Sequence, residues 1–360
     1  MINKLVTKEQ LIMILAIVLG LLAGGILMEL TGNSAIEGYI ALFKGATMSV
    51  ARLGDSLATA TILVFTGLSV AVAFKAGLFN IGATGQMMIG GLAATAVGLS
   101  IDLPKFILLP LMLLAAAISG AIWGGMAGWL KSRYNLHEVV STIMLNWIAY
   151  WLVYYTVPAY FKGSIDIESK YLPLRASLRI EMLSKLFDDS YINLGLLLAV
   201  LAVFICAFLL NKTVFGFDLK AVGFSPAAAR YAGIDVRSTL VSAMLLSGAL
   251  AGIGGMCLYC GYMSSIQIDI MPHQGMDSIA VALLGSNSPW GVVFVAVFFG
   301  ILDSGRGFMS AVTDIPAEIS DVIIATIIYF AATGALLGKL LDKFGKHKTA
   351  QGGTADVDVN

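Results

Sequence analysis

Runs of about 20 apolar residues recur along this 360-residue chain and constrain its fold more than any other feature. Hydrocarbon offers no water to backbone N–H and C=O groups, so each run must satisfy its own hydrogen bonds as a helix. The runs fall at 11–30, 57–74, 80–100, 106–130, 139–158, 192–211, 238–262 and 319–338. A further region, 278–303, is interrupted by Gly285, Pro289 and Gly291. Only 12% of residues are charged and 58% are hydrophobic, whereas soluble domains carry roughly 25% charge. The fold class expected is an all-α polytopic membrane protein. The run at 11–30 exceeds a signal peptide's apolar core of about 7–15 residues and has no A-x-A-like site after it. It reads as a first span.

Charge decides how 278–303 is counted. As one span it would leave the two termini on opposite sides of the membrane. Yet both ends are basic, with Lys4 and Lys8 at one and Lys339, Lys343, Lys346 and Lys348 at the other. The positive-inside rule puts such ends in the cytoplasm. Splitting 278–303 at Asn287-Ser288-Pro289 gives about ten transmembrane helices, some short or broken, with both termini cytoplasmic. The loop 159–191 is then external and 212–237 cytoplasmic. Residues 1–345 form one transmembrane domain, and 346–360 a polar tail expected to be disordered.

Residues 77–91, GLFNIGATGQMMIGG, depart from their apolar surroundings. Asn80, Thr84 and Gln86 stand among five glycines. A buried amide without a partner costs on the order of 1–3 kcal/mol, and each glycine weakens a helix by about 1 kcal/mol relative to alanine. Two readings fit: a discontinuous helix lining a substrate path, or a close-packed helix whose amides bond to neighbours. The span 139–158 carries a matching stripe, because Glu138, Ser141, Thr142 and Asn146 recur at helical spacing. Polar groups in lipid must face protein or water, so this stripe either lines a pore beside Asn80 and Gln86 or bonds to other helices. Gly120, Gly124 and Gly128, and Gly248 with Gly252, form ridges of small residues that allow close helix approach.

Several function classes are excluded. Lysine plus arginine equals aspartate plus glutamate at 22 each, so no basic field attracts nucleic acid. No G-x-x-x-x-G-K-[ST] loop is present to hold a nucleotide. Cys257 and Cys260 form C-x-x-C inside an apolar, Gly-rich run, and Cys206 lies in another. Neither a redox nor a metal role is expected of them, and His137, His273 and His347 are too scattered for a metal site. Glu29, Glu138 and Asp321 sit at span ends, and no strong span carries a central charge. A proton-coupled carrier usually keeps such a relay, so energy is expected to come from elsewhere.

The loop 212–237 has structure of its own. Ser225-Pro226 is a helix start, with serine as N-cap and proline at the first helical position. Ala227 to Tyr231 supply one or two turns, and Gly233 a C-cap. With Gly223 and Gly233 as hinges, and Ala228, Ala229 and Arg230 on its surface, this helix suits a partner's groove.

The stretches FNIGATGQ (79–86), HEVVSTIMLNWIAYW (137–151) and LKAVGFSPAAARYAGI (219–234) are those by which the chain resembles a known family. It resembles the inner-membrane permeases of ABC importers of the branched-chain amino acid/ribose/nucleoside class. It is most similar to nucleoside permeases that work with basic-membrane-lipoprotein binding proteins. FNIGATGQ is shared with amino-acid permeases, whereas HEVVSTIMLN tilts the resemblance toward nucleosides. Where that family usually has glutamate, this chain has Thr84.

The resemblance implies a multi-pass permease domain in the bacterial cytoplasmic membrane, in contact with lipid. It implies a second, related permease subunit, a cytoplasmic ABC ATPase docked on 219–234, and an extracytoplasmic substrate-binding lipoprotein. ATP would sit on the ATPase and no cofactor on this chain, which would not itself be an enzyme. Phe79, Asn80, Thr84, Gln86, Ser141, Thr142 and Asn146 would lie along the path. Gly223, Ser225, Pro226, Ala228, Ala229, Arg230 and Gly233 would couple to the ATPase. A sugar or branched-chain amino-acid importer is the nearest alternative, and a stand-alone carrier a more distant one. An integral-membrane enzyme would need clustered acids or a nucleophile, and the pair Asp188-Asp189 reads as a solvated turn.

Overall fold

The computed structural model describes residues 8–333. Lys4, Lys339, Lys343, Lys346 and Lys348, the tail 346–360 and the last residues of 319–338 lie outside the described residues. Within them the regular elements are helices: α1 (Lys8–Leu30), α2 (Ala35–Thr47), α3 (Val50–Lys75), α4 (Ala83–Ser100) and α5 (Lys105–Tyr134). Then follow α6 (Glu138–Tyr160), α7 (Glu181–Leu186), α8 (Gly195–Lys212), α9 (Val214–Phe224) and α10 (Pro226–Tyr231). The series ends with α11 (Val236–Met256), α12 (Gln274–Leu284), α13 (Pro289–Val312) and α14 (Glu318–Ala332). Six of the helices are long and apolar enough to cross a membrane, by length and composition.

The core is built around α3, whose residues 58–73 are buried without interruption. A helix apolar all round needs neighbours on every side, and α2, α8, α11, α12 and α13 surround it. Its polar side chains turn back on the helix: Thr61 Oγ1 donates to Leu57 O at 2.8 Å and Thr66 Oγ1 to Ile62 O at 3.0 Å. The glycine ridges meet as expected. A Cβ on Gly120 would lie 2.8 Å from the Cα of Gly252, and one on Gly248 3.1 Å from the Cα of Gly124. Backbone thus lies on backbone between α5 and α11.

The interrupted region divides at 285–288, where Ser286 and Asn287 take positive φ and Pro289 starts α13. α12 is therefore a short helix of 11 residues. Two helices lie where no span was expected, α2 within 31–56 and α9 within 212–225. α13 continues past residue 303 to Val312, so Asp303 and Arg306 lie inside a helix apolar and long enough to span, which corrects the expectation that charges sit only at span ends. Beyond Met256, α11 becomes π-helical over Cys257–Met263, where Cys257 and Cys260 are buried free thiols.

One end of the bundle carries 161–191 and 264–272, cross-linked by main-chain bonds such as Ser169 N to Ile266 O at 2.9 Å. Arg179 fixes this layer to the π-helical turn by donating to Gly261 O and Tyr262 O, at 3.0 and 2.7 Å. The carbonyls of that helix end would otherwise lack partners. The opposite end carries 131–137 and 212–235.

Candidate functional site

The stretch 77–91 contains most of a genuine break, 76–82, and the first turns of α4. α3 stops at Lys75 and α4 starts at Ala83, leaving 76–82 non-helical inside the bundle. Gly77 ends α3 with φ +73°, its N–H bonded to Phe74 O and that of Leu78 to Ala73 O, both at 3.0 Å. This Schellman arrangement needs a left-handed residue and glycine supplies it without strain.

A break in an apolar interior exposes main-chain groups that water cannot reach. Here the amides satisfy them. Asn80 Oδ1 accepts from Gly82 N at 2.8 Å, and its Nδ2 donates to Gln86 Oε1 at 3.1 Å and Ser247 Oγ at 2.8 Å. Gln86 Nε2 returns a bond to Asn80 Oδ1 at 3.3 Å. Gly82, the N-cap of α4, has no side chain with which to cap it. Asn146 does so from α6: its Oδ1 accepts from Gly85 N at 2.8 Å and its Nδ2 donates to Ile81 O at 3.0 Å. Ser247 Oγ donates in turn to Ser69 O at 2.8 Å. One network therefore joins α3, the break, α4, α6 and α11.

The other expected residues are distributed around this network. Asn80 is wholly buried, and Gln86, Thr84, Thr142, Ser141 and Asn146 are buried too. Thr142 Oγ1 donates to Glu138 O at 2.8 Å and Ser141 Oγ to His137 O at 3.3 Å, so both hydroxyls are satisfied within α6. Thr84 Oγ1 is buried with no hydrogen-bond partner, packed on Gly275 at the start of α12. Phe79 is half exposed and leans on Phe74, ring centroids 5.1 Å apart. The polar stripe of α6 thus faces inward. Its opposite face, with Met144, Trp147, Trp151 and Tyr155, is exposed.

The second group forms a compact unit. Ser225 caps α10 by accepting from Ala228 N at 3.3 Å, Pro226 opens it, and Gly233 follows at φ +86°. Ala229 is buried against Val222 and Val236, whereas Pro226, Ala227, Ala228 and Arg230 face outward. Phe224 and Tyr231 flank the helix at 94% and 95% exposure, the cost of which points to a partner surface. Gly223 lies in the last turn of α9 rather than in a turn between elements, and it packs on the break. A Cβ on Gly77 would sit 3.2 Å from the Cα of Gly223, and one on Gly223 would run into Lys75 O. Gly223 is therefore in direct contact with the segment that leads into Phe79 and Asn80. Ser69 and Ser247 were not singled out in the sequence, because a lone serine in an apolar run carries no signal of its distant partner.

Comparison with known proteins agrees with this architecture. The family described as "Branched-chain amino acid transport system / permease component" matches residues 52–332. The chain is 39% identical to the guanosine ABC transporter permease protein NupP of Bacillus subtilis (strain 168), over 94% of this chain and 97% of that protein. It is 38% identical to the nucleoside ABC transporter permease protein NupB of Lactococcus lactis subsp. cremoris (strain MG1363), over 94% of each. It is 32% identical to the glucose ABC transporter permease protein TsgB13 of Haloferax volcanii, over 89% of this chain and 86% of that one. With its repeated apolar helices and a match over most of its length, the chain belongs to the family of permease components of branched-chain amino acid transport systems.

Proposed function

We propose that this chain is a transmembrane subunit of an ATP-driven importer of nucleosides in the bacterial cytoplasmic membrane. A cytoplasmic ABC ATPase supplies the energy, a second, related permease completes the channel, and an extracytoplasmic lipoprotein delivers the substrate. The chain itself catalyses no reaction and holds no cofactor. The observation that carries the substrate class is the 39% and 38% identity, across nearly the whole chain, to permeases named for guanosine and nucleosides. The likeness to a glucose permease at 32% favours a sugar as the second reading.

In this reading residues 1–345 are one permease domain of ten spans with both termini cytoplasmic, and α12 and α13 are the two halves of the interrupted region. Phe79, Asn80, Thr84, Gln86, Ser141, Thr142 and Asn146 lie along the translocation path. The segment from Gly223 to Gly233 receives the ATPase. What supports coupling is the close contact of Gly223 with Gly77, which puts the end of α9 directly against the break.

Uptake of radiolabelled guanosine, D-ribose, glucose and leucine by a strain lacking the gene, with and without the gene restored, tests the substrate. Guanosine uptake alone should return, and return of glucose or leucine uptake instead would replace the reading. Topology is tested with Ser164→Cys and Ser225→Cys in a background free of Cys206, Cys257 and Cys260. An impermeant maleimide should label only the first in intact cells, and labelling of both would overturn the ten-span arrangement.

A further inference from the structure

The break network leaves unused a second polar cluster near the opposite end of the bundle. His273 precedes α12, and its Nδ1 lies 2.8 Å from Asp277 Oδ2. Its Nε2 is 3.8 Å from Asp303 Oδ1, which is also 3.2 Å from Arg306 Nε. Arg306 Nη1 reaches Asp321 Oδ1 at 3.1 Å. A cavity of about 210 Å³ opens beside these groups, lined by His273, Asp303, Arg306, Tyr259, Tyr262 and Gln267. Its roof is the 264–272 segment, held to the 161–170 segment by Ile268 N to Ile167 O at 2.9 Å. Tyr150 of α6 also holds the roof, donating to Asp269 Oδ1 at 2.5 Å.

We propose that this cavity binds the vicinal hydroxyls of a sugar ring, the ribose of a nucleoside in transit. The identity of that substrate rests on the nucleoside reading above; the chemistry of the site does not. Asp303 Oδ1 is buried and receives no aligned hydrogen bond, although both Arg306 and His273 lie beside it. An acceptor left unfilled in a buried site costs free energy that a donor from a ligand would recover. Arg306 already ties α13 to α14 through Asp321, and Asp303 is left facing the cavity.

In the cavity wall one carboxylate, Asp303, stands beside the guanidinium of Arg306 and the imidazole of His273, so acceptor and donors are both present. A ligand carrying its own carboxylate or phosphate would be repelled by Asp303. Hydroxyls answer both needs, because each donates to a carboxylate and accepts from Arg306 or His273. A pair on adjacent carbons can reach Asp303 and Arg306 together. Tyr259 and Tyr262 add aromatic surface against which an apolar ring face can lie.

The test uses the whole transporter in cells, with its ATPase, partner permease and binding protein. Uptake of guanosine and of 2′-deoxyguanosine is measured for the wild type and for Asp303→Asn. The same binding protein serves both variants, so a change in the ratio of the two uptakes belongs to the permease. Guanosine uptake should fall about ten-fold while 2′-deoxyguanosine uptake changes by less than about two-fold. Equal loss of both, or no loss, overturns the proposal.

A second variant, Met271→Trp, fills the cavity and leaves every charged group in place. It should lower guanosine uptake about ten-fold with the ATPase subunit still co-purifying, and normal uptake overturns the proposal. Failure of the wild type to import guanosine would count against the nucleoside reading alone. The variants are then compared on D-ribose and 2-deoxy-D-ribose, where unchanged discrimination overturns the diol site.

Discussion

The Cα of Gly223 lies against Gly77, so close that a Cβ on Gly77 would stand 3.2 Å from it. Gly223 ends α9, next to the exposed α10, and Gly77 opens the break between α3 and α4. Three residues beyond Gly77, Asn80 begins the amide network that reaches Asn146 on α6. A displacement of α10 therefore has a short, close-packed route to the middle of the bundle.

Asn146 holds two main-chain groups of the break at once. Asn146→Leu leaves the N–H of Gly85 and the carbonyl of Ile81 buried and unpaired, at about 1–3 kcal/mol each. The detergent-solubilised protein should melt at lower temperature and uptake should fall. Asn146→Asp keeps the acceptor for Gly85 but sets a carboxylate against the carbonyl of Ile81, so it should be no better than leucine. A melting curve unchanged in both variants would show that the break needs no cap from α6.

Thr84 behaves oppositely. Its hydroxyl is buried without a partner, so removing the hydroxyl forfeits no hydrogen bond. Thr84→Val, close in shape, should leave uptake within about two-fold and stability equal or slightly higher. A loss of uptake greater than about ten-fold would mean that this hydroxyl meets a substrate or a water.

The surface around α10 separates shape from charge. Phe224 and Tyr231 are almost fully exposed aromatics, whereas Arg230 offers an exposed charge whose ion pair would contribute under about 1 kcal/mol. Phe224→Ala and Tyr231→Ala should each reduce co-purification of the ATPase subunit severalfold, while Arg230→Gln should have little effect. Ala228→Trp, on the outward side, should abolish uptake through overpacking of roughly 1–3 kcal/mol. Retention of the ATPase by both aromatic variants would place the docking surface elsewhere.

Much of this was legible in the sequence, for local reasons. Apolar runs marked the long helices, Gly285 and Pro289 marked the division between α12 and α13, and Ser225-Pro226 marked the start of α10. The glycines at four-residue spacing marked the α5–α11 seam. What escaped was non-local or masked by short-range interruptions. α2 is 13 residues long and carries Glu37 and Lys44, so no apolar run announces it. α9 contains Gly216, Asp218 and Gly223 and reads as loop. α13 runs nine residues past the expected end at 303, to Val312, through a stretch that carries Ser304, Gly305, Arg306 and Gly307 and so shows no apolar run. That Asn146 caps α4 depends on how α6 lies against another helix, and no spacing along the chain encodes that.

Coupling through Gly223 is measured most directly as the number of guanosine molecules imported per ATP hydrolysed by the complete transporter in proteoliposomes. Gly223→Leu should leave the ATPase bound and hydrolysing ATP while this ratio falls at least about ten-fold, because the larger side chain lifts α9 from the break. A ratio equal to that of the wild type, with the variant protein intact in the membrane, would contradict the account.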